Sequence, residues 1–227
     1  MRSSTSAKGS IDFVSNAILQ CDGVGGGGAL NCADLDTQLP PTFASWSQNN
    51  DHAAEYIDID GDPTTFSSSS DSLDLATCSN VVFAGIYWGG RASTGDLEFD
   101  DRGDIRIDAN GDGNTDVSAD VIIDAAAAEG LGNRVYYCFA DKTTLVQSNP
   151  SQSLYTVADI YARLGGTNRW GGWNIVVVYE NDLLPMRNLN VFDGLVNANN
   201  TGTEVEVGIS GFLTPASGPV TFEVRAL

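Results

Sequence analysis

The chain has 227 residues, 42 % of them apolar, which is enough for a substantial core in one large domain or two small ones. Thirty acidic residues stand against 11 basic ones, for a net charge of −19. Such a surface repels nucleic-acid phosphates and anionic membranes, favours divalent cations and stays soluble in salt. No apolar run approaches the about 18 residues that a membrane-spanning helix needs.

In chain order, residues 1–10 carry no hydrophobic signal core, and Ile11–Gln20 read as a first strand. Cys21 and Cys32 flank a Gly-rich loop and are expected to staple it. That leaves Cys78 for Cys138, a pairing that rests on proximity alone, because four cysteines allow three connectivities. With no C-x-x-C pair and His52 as the sole histidine, zinc and iron–sulfur sites are not expected. The even cysteine count suits an oxidising compartment, so the chain reads as a mature product at the cell surface or outside the cell. Pro40–Asn50 is irregular, with Phe43 and Trp46 as anchors.

Asp58, Asp60 and Asp62 alternate and would share one face of a strand. Three like charges there call for a counter-cation or for solvent, so the stretch is either a second metal site or a solvated edge. Four serines follow, and Leu73-Asp-Leu75 resumes an alternating pattern. Val81–Gly90 and Trp173–Glu180 have the length and β-branched content of buried central strands. Val135–Phe139, Leu154–Tyr161, Leu189–Phe192, Glu204–Ile209 and Val220–Ala226 complete the strand series. Thr143–Gln147 reads as a short helix or turn, and Ala125–Glu129 as a helical turn.

The densest motif is Asp108-Ala-Asn110-Gly-Asp112-Gly113-Asn114-Thr-Asp116. Oxygen-bearing side chains stand at its first, third, fifth, seventh and ninth places, with glycine at the sixth. A hard cation such as Ca²⁺ needs six to eight converging oxygens, and glycine permits the sharp turn. Its flanks, Asp104–Ile107 and Val117–Ile123, alternate with period two, and Ala119 stands where an EF-hand places a bidentate glutamate. The loop is therefore expected at a β-hairpin tip, resembling the calcium loops of integrin propeller blades, as a stability element and not a sensor.

Roughly a dozen short strands separated by turn signals argue an all-β fold, a jelly-roll-like β-sandwich with long loops and a calcium-loop hairpin. One domain is expected over residues 1–227. Residues 11–50 would give an N-terminal strand and the disulfide-closed loop, and residues 51–227 the main sandwich.

Several stretches together resemble a β-rich domain of large bacterial cell-surface, adhesin-like proteins. They are Asp58–Ser70, Val82–Gly90, Tyr155–Ile160, Gly172–Glu180, Leu189–Gly194 and Gly211-Phe212. The resemblance covers most of residues 55–215. It implies an extracellular domain with a surface-attachment or structural role and carries over no catalytic residues.

These residues do not readily make an enzyme. One histidine in a polar stretch gives a nucleophilic triad no surrounding motif, and the run Gly25–Gly28 lacks the Lys-Ser/Thr of a phosphate loop. Trp170 and Trp173 bracket a Gly-Gly pair and could stack on a sugar ring if exposed, although core packing is the commoner fate of such tryptophans. Two readings follow. One is a non-catalytic, calcium-stabilised extracellular structural protein, a self-assembling filament, tube or sheath subunit that associates through its terminal strands. The alternative is a cell-surface adhesion domain that binds a surface or glycan.

Overall fold

The computed structural model describes residues 1–22, 32, 52–93, 99–126, 133–149, 153–166, 168–195, 206–213, 217 and 223–224. Expectations about the Gly-rich loop, Phe43, Trp46, Ala127–Glu129, Glu204–Val205 and most of Val220–Ala226 lie outside these residues; Ala125 and Ala126, expected in a helical turn, end a strand instead, and residues 206–209, expected as strand, are in none. In chain order the described strands are β1 (Ser3–Ala17), β2 (Leu19–Cys21), β3 (Ala54–Tyr56), β4 (Ser68–Leu73), β5 (Asn80–Ser93) and β6 (Asp104–Ala109). They continue with β7 (Thr115–Ser118), β8 (Val121–Ala126), β9 (Asn133–Asp141), helix α1 (Thr143–Ser148), β10 (Ser153–Ala158), β11 (Gly171–Glu180) and β12 (Met186–Val191). The protein is all-β with antiparallel pairing throughout.

A six-stranded sheet runs β12-β1-β11-β5-β9-β8 and a four-stranded sheet runs β4-β10-β6-β7, with β2-β3 as a separate ribbon. The two larger sheets share one core. Ile86, Trp88, Ile175 and Val177 of the first meet Leu73, Ile105, Ile107, Tyr155 and Val157 of the second. The long apolar runs at β5 and β11 lie next to each other inside the large sheet, as their composition required. Trp88 faces Trp173 across that pair, and a side chain at Gly89 would run into the Tyr136 carbonyl. No helix among the described residues is long and apolar enough to cross a membrane.

Four further expectations change. First, β1 starts at Ser3, within the stretch read only for its missing signal core. It pairs with β12 along Ser3–Lys8 and with β11 along Gly9–Ala17. The alternate amides of Phe13, Ser15 and Ala17 are taken by side-chain oxygens of Asp12, Asp71 and Asn16. β1 is thus built into the large sheet, with these three amides already bonded.

Second, the serine run is itself strand β4. Ser67, Ser68 and Ser69 are buried with their hydroxyls hydrogen-bonded, to the Ile160 carbonyl, to Asp58 and to Trp173. Ser69 Oγ, for example, accepts the Trp173 indole N–H at 2.8 Å.

Third, Val117–Ile123 is two strands in different sheets. The chain leaves the small sheet at Ala119, whose amide donates to Gly103 O, and enters the large one at Asp120, whose amide donates to Phe139 O.

Fourth, Cys78 and Cys138 are free thiols, one exposed and one buried. Cys138 lies opposite Trp88, eight residues along β5 from Asn80. At about 3.3 Å per residue that is about 26 Å, beyond any disulfide. Cys21–Cys32 does form, with Cα atoms 5.7 Å apart.

Candidate metal site

The Asp108–Asp116 loop joins β6 to β7, so it is a hairpin loop. Its tight course depends on left-handed backbone at Asn110, Gly111 and Gly113, with φ of 64°, 80° and 106°. Asp108 turns its carboxylate back on the loop and accepts the amides of Gly111 at 2.8 Å and Gly113 at 3.3 Å. Asn110 is pinned sideways. Its Oδ1 accepts Leu154 N at 2.9 Å, and its Nδ2 donates to Asn149 Oδ1 at 3.2 Å. Asp112 is exposed, and its carboxylate holds no partner among the described residues.

The second acidic stretch comes to the same rim. Asn114 Nδ2 donates to Asp62 Oδ2 at 3.2 Å, across 52 positions of sequence. Asp62 Oδ1 accepts both the amide and the hydroxyl of Thr64 at 2.8 Å. These Thr64 bonds hold the Asp62 carboxyl below its ordinary pKa. Asp60 accepts the amide of Asp62 at 2.9 Å and the hydroxyl of Thr65 at 3.0 Å. Asp58 accepts the Ser68 hydroxyl at 2.9 Å. These stretches, expected as two separate metal candidates, are one junction between two loops.

Its hub is Arg106, which the sequence pattern alone does not single out. The guanidinium donates to Thr64 O at 3.0 Å and Thr64 Oγ1 at 2.9 Å. It also lies 3.3 Å from Asp159 and 3.5 Å from Asp116. Register explains this: Arg106 stands directly opposite Asp116 on β7 and Ala158 on β10, one residue before Asp159. Asp159 sits at φ 65° and accepts the Phe66 amide. Burial raises its pKa, against the opposing pull of that amide and Arg106. A lone arginine in an alternating acidic strand was the available signal, but only the register gives it its partners.

Chemically, the junction is a set of carboxylates and amides held by internal hydrogen bonds. Among the described residues, the one trio of Cys, His or carboxylate ligand atoms within 4.8 Å of one another is Cys21, Asp22 and Cys32. Its two sulfurs are spent on the disulfide. To bind at the hairpin, a cation would use the lone pairs that Asp108 keeps free of its two amides and recruit Asp112.

The tryptophans separate. Trp173 takes the commoner, core-packed fate: it is buried, with its indole bonded to Ser69. Trp170 is 38 % exposed and packs 5.9 Å from the exposed Tyr137 ring. Burial pushes the Cys138 thiol up to about 12, which makes it a packing residue.

The fold and its rim define an acidic, disulfide-bearing, all-β protein. Comparison with family models, curated proteins and solved structures returned no match for this chain.

Proposed function

We propose that the chain is a non-catalytic, calcium-stabilised structural subunit of the cell exterior, built as a jelly-roll-like sandwich and assembling with its own copies into a filament, tube or sheath. The observation that carries this reading is the junction of the two acidic stretches at Asn114–Asp62. It ties loops from distant parts of the chain at one rim of the small sheet. Its carboxylates are held by backbone and hydroxyl groups, as in a brace. Calcium supplies a hard centre for such oxygens. Asp108 and Asp112, with Asn110, Asn114 and Asp116, are the residues that would hold it at the hairpin, and Asp58, Asp60 and Asp62 are the neighbouring reserve. The resemblance to surface domains and the Cys21–Cys32 bridge agree with an oxidising exterior.

Electron microscopy of the purified chain in calcium chloride and in EDTA tests the reading. Filaments or sheets with calcium, lost on chelation, are expected. Dispersed particles in both would overturn it.

The exposed Trp170–Tyr137 pair favours a second reading, an adhesion domain that stacks sugars on aromatic rings. It predicts glycan binding that Trp170→Ala abolishes, by a chain that stays monomeric.

A further inference from the structure

The large sheet is apolar on both faces, and the small sheet covers one of them. On the outer face Phe83, Phe139, Val176, Val178, Leu189 and Val191 form a second cluster, with Ile11, Phe13 and Tyr87 packed against it. Above it lies an open groove of about 1160 Å³. One wall is formed by Ile209, Phe212 and Leu213 of segment 206–213, which pairs with no described strand. It is fastened by the Leu213 amide to Asn188 Oδ1 at 3.0 Å and by Phe212 against the Phe192 ring at 5.5 Å. Outward from these anchors, Val207, Ile209 and Leu213 are 61, 45 and 71 % exposed.

We propose that this face is where two copies of the chain meet, each laying its residues 206–213 in the other's groove. Segment and groove occupy the same face, so the contact is reciprocal and closes as a two-fold pair. Size supports a protein occupant. The groove is lined by 28 described residues, and a standard interface uses about 20–30 a side. The volume exceeds the about 300–1,000 Å³ usual for a small-molecule site, and a small ligand would leave Val207, which stands outside the lining, in water.

Charge points the same way. On a chain of net −19 the lining balances Arg2 and Arg187 against Asp193 and Glu223. Two copies can therefore approach here without the repulsion the rest of the surface imposes. Glu206 of the incoming segment has Arg187 of the groove to meet. The pair stands apart from the filament reading, since a closed dimer forms with or without further assembly.

Sedimentation equilibrium of the full chain, at high salt and over a range of concentrations, tests it. A reversible dimer is expected. Val207→Asp with Ile209→Asp should raise its dissociation constant at least tenfold and leave the melting temperature at high dilution unchanged, because both residues are exposed in the single chain. Glu206→Arg and Arg187→Glu should each weaken the dimer, and together restore it. A wild type that stays monomeric throughout overturns the proposal, as does a dimer indifferent to both sets of variants. So does a monomer that binds one 1-anilinonaphthalene-8-sulfonate in the groove, which would assign the groove to a small apolar ligand. Filaments lost while the dimer persists would count against the proposed assembly alone.

Discussion

The two faces of the six-stranded sheet are made from the same strands, yet they end in different states. Ile86, Trp88, Ile175 and Val177 point inward and are at most 1 % exposed. Their sequence neighbours Tyr87, Asn174, Val176 and Val178 point outward beneath an open groove. Among the described residues, an inward one is closed off by a second sheet, and an outward one by its own layer and the segment 206–213. Apolar composition therefore marks where cover is needed, and the topology decides which face receives it.

The largest expected difference is energetic. Ile175→Ala on the inner face should cost about 2–5 kcal/mol in urea unfolding, because the cavity is walled on both sides. Ile11→Ala on the outer face should cost about 1 kcal/mol at low protein concentration. Equal costs would break the distinction between the faces. A cost at Ile11 that grows with concentration would sharpen it in favour of pairing.

Thiol chemistry gives the next contrast. Cys138 belongs to the covered side, and its pKa stands at about 12, while Cys78 lies exposed in a turn. In the native protein an iodoacetamide label should reach Cys78 at least a hundredfold faster than Cys138. A protein with neither thiol free would restore the second disulfide that the pairing geometry excludes.

The smallest effects belong to the acidic junction. The Asp62 pKa is lowered, so its contribution is present above the unfolded value of 3.8 and lost as pH falls through the folded one. Asp159 is raised, so its sign is opposite: ionising it costs stability as pH rises through its folded value. Asp62→Asn should lower the melting temperature at neutral pH, and the difference should fade as pH falls through the folded value. Asp159→Asn should leave the neutral-pH melting temperature unchanged or raise it. A drop with Asp159→Asn would mean that its bond to Arg106 outweighs its burial.

Much of the fold is legible in the sequence where the period of the chain and its burial agree. The runs at β5 and β11, the alternation of β6 and the short helix at Thr143 are readable because local pattern and final environment coincide. What escapes depends on register or on partners far along the chain. The serine strand looks polar because its hydroxyls serve Trp173 and Asp58, which nothing nearby announces. Trp170 and Trp173 look equivalent, and strand parity buries one of them. The break at Ala119–Asp120 is invisible to periodicity, since both sides alternate correctly for different sheets. At the candidate site both acidic stretches stand out in the sequence. Their meeting, and Arg106 between them, requires the pairing of β6 with β7 and β10.

The claim that the rim is a calcium brace is tested most directly by thermal unfolding of the wild type and of the Asp108→Ala, Asp112→Ala double variant, each in calcium chloride and in EDTA. The account predicts a higher melting temperature for the wild type in calcium. The scale is about 2.7 kcal/mol when free calcium is a hundred times its dissociation constant. The variant should melt alike in both solutions, at the chelated wild-type value. A wild-type melting temperature that chelation leaves unmoved would contradict it.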